Sequence, residues 1–242
     1  MSLVAERCDR LVTWLRQQAA EAGVEGAVVG LSGGIDSAVV AGLCRRAFGE
    51  KVLGVIMPCH SDPQDAEHAR LLADAFGIEA RTVVLDDVYD QFLALLSLSG
   101  KGEPPRLAVA NLKPRLRMIT LYYHANSLGY LVVGTGNKSE ATVGYFTKYG
   151  DGGVDLLPIG NLVKQEVREL ADHLGVPQPI LDKPPSAGLW GGQTDETEMG
   201  ITYEVLDRYI LTGEAPPPVA QRIQEMNRRS EHKRRLPPAG PR

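Results

Sequence analysis

The chain has 242 residues, of which 26 are Lys or Arg and 30 are Asp or Glu, for a formal net charge of −4. That balance excludes a global basic field for recruiting nucleic acid, and no apolar run reaches the roughly 18–20 residues of a membrane span. The N-terminal residues lack a charged-then-apolar secretory pattern, and three scattered cysteines (Cys8, Cys44 and Cys59) without CxxC spacing read as reduced thiols of a cytoplasmic protein.

In chain order, Leu3 to about Ala22 reads as an amphipathic helix, with Val4, Leu11, Val12, Trp14 and Leu15 at its apolar positions. Gly26–Leu31 is a short apolar run bounded by glycine, the pattern of a buried strand. The turn Gly30-Leu31-Ser32-Gly33-Gly34-Ile35-Asp36-Ser37 follows, leading into a helical run through Arg46. Gly33 and Gly34 allow a tight bend and bare N–H groups, Ser32 and Ser37 add hydroxyls, and a helix N-terminus favours an anion. These features together make a phosphate cradle; a turn that only caps its helix is the alternative. No Lys-Ser/Thr pair closes the turn, so it is not a Walker A loop. Asp36 belongs beside a phosphate when a divalent cation sits between them.

Lys51–Met57 is a second buried strand, stopped by Pro58. Cys59–Asp65 then forms a polar segment at a strand end, where His60 and Asp62 are either ligand contacts or parts of a solvated loop. A helix over about Gln64–Phe76, a strand at Glu79–Leu85 and a helix from Asp86 through about Leu96 follow. After a Gly/Pro/Lys loop at Ser97–Arg106, Leu107 to about Ser127 is the longest helical pattern, with Pro114 marking a kink or its first turn. Tyr130–Gly134 is a fourth strand. The unbroken alternation predicts an α/β fold, a doubly wound parallel sheet with helices on both faces, in one domain over 1–242. Polar, glycine-dense runs at Gly134–Glu140 and Phe146–Asp155 are costly to order unless they bind something. Leu162–Leu174 reads as a helix, 183–198 as a mobile lid loop, about Glu198–Leu211 as a helix, and 228–242 as a basic tail after a last helix.

The Ser-Gly-Gly-x-Asp-Ser pattern at 32–37 resembles the pyrophosphatase loop of the N-type ATP pyrophosphatases, whose fold is adenine nucleotide alpha hydrolase-like. Five further blocks resemble the NAD synthetase family within that superfamily. They are Gly134-Thr-x-Asn-x-Ser-Glu140, Phe146-Thr-Lys-Tyr-Gly-Asp-Gly-Gly-x-Asp155, Lys183-x-Pro-Ser-Ala-Gly-Leu-Trp190, Asp195-Glu-x-Glu198 and His232-Lys-Arg-x-x-Pro237. They occur in the family's order and extend the resemblance over about residues 26–237.

The resemblance implies a ligase that adenylates the nicotinate carboxylate of deamido-NAD with ATP, then lets ammonia displace AMP. It assigns ATP to Gly30, Leu31, Ser32, Gly33, Gly34, Ile35, Asp36 and Ser37, and also to Thr135, Lys164 and Ser186. Mg²⁺ goes to Asp36 and Glu140, and deamido-NAD to Asn111, Arg115, Tyr122, Tyr145, Lys148, Asp155, His232 and Lys233. Asp36, Asp151 and Lys164 are its catalytic candidates, with Asp151 holding ammonium. It also implies a homodimer with the dinucleotide at the interface, and the chain has no room for a fused glutaminase, so ammonia is free or comes from a separate glutaminase.

Each residue keeps a plainer reading. Asp36 can be a helix cap, Glu140 a first-turn carboxylate, Lys164 a surface lysine, Asp151 the cap of the Gly152-Gly153 turn, and Arg115 with Arg117 a solvated face. Two other activities compete. A tRNA-thiolating or GMP-forming relative would lack the Thr147–Gly153 block or would carry paired cysteines, and a nucleotide sensor would lose the carboxylates at 36 and 140.

Overall fold

The computed structural model describes residues 2–97, 102, 104–186 and 194–241. The elements are α1 (Leu3–Glu21), β1 (Ala27–Gly30), α2 (Ile35–Phe48), β2 (Val52–Ile56), α3 (Pro63–Phe76), β3 (Glu79–Thr82), α4 (Asp86–Ser97), α5 (Arg106–Ala110) and α6 (Leu112–Leu128). They continue with β4 (Leu131–Val133), α7 (Lys138–Val143), α8 (Lys164–Leu174), α9 (Gln178–Leu181), α10 (Asp195–Met199), α11 (Tyr203–Thr212), α12 (Pro217–Ser230) and a 3₁₀ turn at Glu231–Lys233.

The four strands pair in parallel in the order β3-β2-β1-β4, with Val28 opposite both Leu53 and Val132. Val28 and Val29 point to opposite faces and are both fully buried, as strands covered by helices on two sides require. One face is closed by α1, α2, α3, α8 and α9, through side chains such as Leu15, Leu43, Leu72 and Leu170. The other is closed by α4 and α6, through Leu85, Tyr89, Ala125 and Leu121. A third apolar cluster, holding Val143, Met199, Tyr203, Leu206 and Ile223, joins α7, α10, α11 and α12 beside the sheet.

Chain order fixes where a ligand can sit. From β1 the sheet grows through β2 to β3, and β4 then returns to the other side of β1. The loops leaving β1 and β4 therefore diverge, which opens a crevice at their C-terminal ends.

Several expected boundaries shift. The long helix expected over Leu107–Ser127 is two helices broken at Asn111, and Pro114 falls in the first turn of α6, where its missing N–H costs no hydrogen bond. The third strand ends at Thr82 and lies at the sheet edge, with all four residues exposed. The helix expected from Glu198 instead starts at Tyr203, because Thr202 caps it and Gly200 ends α10 in left-handed backbone. The loop expected over 183–198 is helical at its C-terminal end, from Asp195 on; Leu189 and Trp190 lie outside the described residues.

Part of the basic tail docks against the body of the protein. Lys233 Nζ donates to the carbonyls of Gly144 and Phe146 at 2.8 and 2.7 Å, and Arg234 donates to Ala141 O at 2.8 Å. These two side chains clamp the chain end onto α7 and the segment that follows it, while Arg228, Arg229 and Arg235 stay exposed. Gly144 makes the docking possible: its φ is +70°, and a Cβ there would overlap Ser230. Gly144→Ala is expected to cost about 2–6 kcal/mol, the sum of left-handed strain and overpacking. Adding Ser230→Gly should recover the packing part, as chemical denaturation of the single and double variants will reveal.

Candidate active site

The turn after β1 is shaped by its neighbours. Gly33 has φ +73°, and a Cβ there would overlap the carbonyl oxygen of Asp65 on α3. Ser37 Oγ donates to Gly34 O at 2.8 Å and accepts from Ser32 Oγ at 3.0 Å and Ser32 N at 3.3 Å. The hydroxyls thus brace the bend while the amides of the first turn of α2 have no acceptor within the helix. Asp65 is held in turn by an ion pair with Lys183.

Across the crevice, β4 leads into α7 through a capping box in which Asn137 Oδ1 accepts from Glu140 N and Glu140 accepts from Asn137 N. The Asn137 amide nitrogen donates to Asp36 Oδ1 at 2.9 Å, joining the two loops at the switch point. Asp36 Oδ2 pairs with Lys164 Nζ. Lys164 is 1% exposed, and its ammonium lies 5.1 Å above the centre of the Tyr203 ring. Burial alone would push that ammonium down, but Asp36 and Glu140 outweigh it and hold it above the ordinary lysine range. Lys164 is therefore not a surface lysine.

The carboxylates feel the same crowding. Burial and then the charge of Asp36 push Glu140 up to about 8. Asp195, 3% exposed, is raised by burial, although Tyr203 Oη donates to its Oδ2 at 2.9 Å. Three carboxylates thus surround one ammonium. The pair Asp36 and Glu140 offers hard oxygen donors with excess negative charge, which fits Mg²⁺ held partly by substrate phosphate.

One feature of this site escaped the sequence reading. Asp207, 3% exposed, accepts from Ser139 Oγ at 2.5 Å and from Gln165 N at 2.8 Å, while Ser139 Oγ accepts from Lys164 N at 3.1 Å. The pair caps the start of α8 and fixes the backbone of Lys164. Its only sequence signal is an acidic residue on the apolar side of a helix, next to Leu206.

Among the residues expected at the dinucleotide, the structure forms a second cluster on α6 and the 145–155 segment. Tyr122 Oη donates to Asp155 Oδ1 at 2.9 Å, and Asp155 Oδ2 accepts from Val132 N at 2.8 Å. Arg115 donates to Lys148 O at 3.3 Å, and Lys148 Nζ to His232 O at 2.7 Å. Asn111 Oδ1 accepts from Thr147 Oγ1 at 2.8 Å, and Thr147 N donates to Asp151 Oδ1 at 2.9 Å. Solvent reaches Asp151, yet enough protein encloses it to raise its carboxyl, with Lys233 opposing. Tyr145 donates to Glu198 at 2.7 Å, which links this cluster to α10.

Thr135 is half-buried just past β4, and Ser186 is exposed. Asp62 caps α3 by accepting from Gln64 N, and His60 N donates to Asp86. Arg117 is no part of a solvated face: it donates to Met57 O at 3.1 Å and Ser61 Oγ at 3.1 Å. The three cysteines are free and buried.

Comparison with known proteins gives a consistent family. A family model described as NAD synthase matches residues 7–237. The NH(3)-dependent NAD(+) synthetase of Carboxydothermus hydrogenoformans is 55% identical over 232 residues, 96% of each chain. Among solved structures, NMN synthetase from Francisella tularensis has a TM-score of 0.94 at 40% identity over 99% of both chains. The NH3-dependent NAD synthetase from Campylobacter jejuni has a TM-score of 0.80 at 28% identity over the whole of both chains.

A carboxyl raised by folding holds a proton that the unfolded chain releases, so it makes stability fall as pH rises between about 4.5 and about 8. The metal-free protein should therefore lose melting temperature from pH 6 to pH 8.5. Glu140→Gln should flatten that slope, as calorimetry across this range will test.

Proposed function

The chain belongs to the NAD synthase family and carries out its AMP-forming, ATP-dependent amidation of deamido-NAD with ammonia; we propose that the crevice between the β1 and β4 loops is where it does so. The observation that carries this reading is the Asp36–Lys164 pair at the start of the phosphate turn.

The nicotinate carboxylate does not react with ammonia directly, so its oxygen first displaces pyrophosphate from the α-phosphorus of ATP. The amides of residues 33–36 and the hydroxyls of Ser32 and Ser37 bind the departing pyrophosphate, whose charge grows in the transition state. Lys164 holds its ammonium against the α-phosphate side, oriented by Asp36 and by the Ser139–Asp207 cap on its backbone. Asp36 and Glu140 would hold Mg²⁺, which when bound neutralises phosphate charge. Thr135 and Ser186 contribute hydroxyls to ATP.

The second cluster receives the dinucleotide. Tyr145 stacks on the nicotinate ring, Arg115, Lys148 and His232 face the diphosphate, and Asn111 with the Tyr122–Asp155 pair meets ribose hydroxyls. Lys233 acts through the carbonyls of Gly144 and Phe146, holding Tyr145 in place. Asp151, open to solvent, receives ammonium entering the site. We also propose a homodimer through α6, which carries Asn111, Arg115 and Tyr122 beside the exposed Ile119 and Tyr123. Those two rank with Val88 and Leu95 of α4 as large apolar side chains left in water.

One observation favours a second substrate. The Francisella structure named for NMN synthesis fits this backbone more closely than the Campylobacter NAD synthetase does. On that reading nicotinate mononucleotide would be a second substrate, amidated in the same way as deamido-NAD.

Both readings meet the same assay. With MgATP and ammonium chloride, deamido-NAD should yield NAD and AMP in equal amounts, and glutamine should yield none without a separate glutaminase. A higher kcat/KM for nicotinate mononucleotide would select the second reading, and ADP in place of AMP would overturn both. Lys164→Ala and Asp36→Asn should each lower kcat/KM by about 10²–10³. Sedimentation should give a dimer that Ile119→Glu with Tyr123→Glu converts to monomer.

A further inference from the structure

Lys183 pairs with Asp65, 118 residues away, and the two side chains are only 22% and 24% exposed. Ion pairs open to water contribute little to stability. Asp65 also suits the first turn of α3 without any partner, since a helix N-terminus favours a carboxylate. What the pair joins gives it another use. Asp65 is part of the support of the phosphate turn: a Cβ on Gly33 would overlap its carbonyl oxygen, so the first turn of α3 lies directly against that turn.

Lys183 begins the segment Lys183-Pro184-Pro185-Ser186, whose last hydroxyl goes to ATP in the reading above. Each proline fixes its own φ and restricts the residue before it, so the segment is stiff and the place of Lys183 is passed on to Ser186. The other end is held as well. Asp195 N donates to Pro185 O at 3.2 Å, and the Asp195 carboxylate accepts from Tyr203, whose ring lies against Lys164. The segment thus runs between two fixed points, one on the support of the phosphate turn and one beside the buried lysine. Charge points the same way. A bare carboxylate next to a turn that binds phosphate would repel it, and the ammonium of Lys183 offsets that charge.

We propose that Lys183 and Asp65 are a positioning pair for ATP. Asp65 sets the phosphate turn from α3, and Lys183 fastens the Ser186 segment to that support. Turn and hydroxyl therefore meet the nucleotide in a fixed relation. This rests on the reading of the crevice between the β1 and β4 loops as the ATP site. The pair acts on nucleotide affinity and leaves bond making and breaking to the groups around Lys164.

The test compares steady-state NAD formation with MgATP affinity measured separately by titration calorimetry. Wild-type enzyme that binds MgATP but forms no AMP would sink the amidation reading and leave the pair to be judged on binding. Wild-type enzyme that binds no MgATP would overturn both. In Lys183→Met and in Asp65→Asn, the KM and Kd for MgATP should rise about fivefold or more, with kcat and the KM for deamido-NAD within about twofold of wild type. The double variant should be no worse than either single one, because both changes break the same interaction. Lys183→Arg, which keeps the charge, should retain wild-type MgATP affinity. A lowered melting temperature with unchanged MgATP affinity would make the pair structural only and overturn the proposal. Losses that add in the double variant, or a loss confined to Lys183→Met, would overturn it too, because Lys183 would then act on the nucleotide without Asp65. Should Asp65→Asn fail to fold, the contrast between Lys183→Met and Lys183→Arg decides, since Lys183 lies in no helix or strand.

Discussion

Lys164 is among the largest fully buried side chains, and it is charged. An ammonium at that depth costs several kcal/mol in lost hydration, which a single carboxylate repays only with good geometry. Much of the arrangement around it serves that requirement. Asp36 pairs with it, Asn137 orients Asp36 from the opposite loop, Tyr203 lays its ring against the ammonium, and Ser139 with Asp207 fixes the backbone at the start of α8. Hydrophobic packing of similar volume would stabilise the fold more simply. Under the proposed mechanism the charge is kept because it stands where phosphate oxygens develop negative charge.

The same constraint explains why the sheet order matters. Asp36 enters from the end of β1, Asn137 and Glu140 from the end of β4, and Lys164 from the helix that packs on α2. Only the reversal between β1 and β4 lets three loops distant in sequence converge without crossing. The apolar cluster of α7, α10, α11 and α12 then lies beside the sheet, bringing Asp195, Tyr203 and Asp207 to the same place. A conventional two-layer covering of the sheet would supply none of those three.

The alternation of apolar strands and amphipathic helices made the sheet and most elements legible, because period and turn residues are local properties. The convergence of Asp36 with Glu140 was also legible, since both follow strand ends. Less legible was anything decided by packing between distant segments. The break at Asn111 in a continuous helical pattern, the cap that Asp207 provides 42 residues from Gln165, and the burial of Arg117 against Met57 O leave almost no periodic trace. The docking of part of the basic run at 228–235 left no trace for a related reason. Composition counts charges, whereas Lys233 and Arg234 spend theirs on backbone carbonyls that only the folded chain brings near.

Charge balance ties stability to function in this site. With Asp36, Glu140 and Asp195 ionised, one lysine leaves a net excess of two negative charges in a place shielded from water. The ligand-free protein relieves the excess by keeping a proton on Glu140 well into the neutral range. A cation held with the substrate phosphates would relieve it without that proton. Ligands that neutralise the pocket therefore stabilise the same conformation that the chemistry requires, and the electrostatic strain of the empty site becomes binding energy. A site tuned to be comfortable when empty, with one carboxylate per lysine, would forgo that coupling.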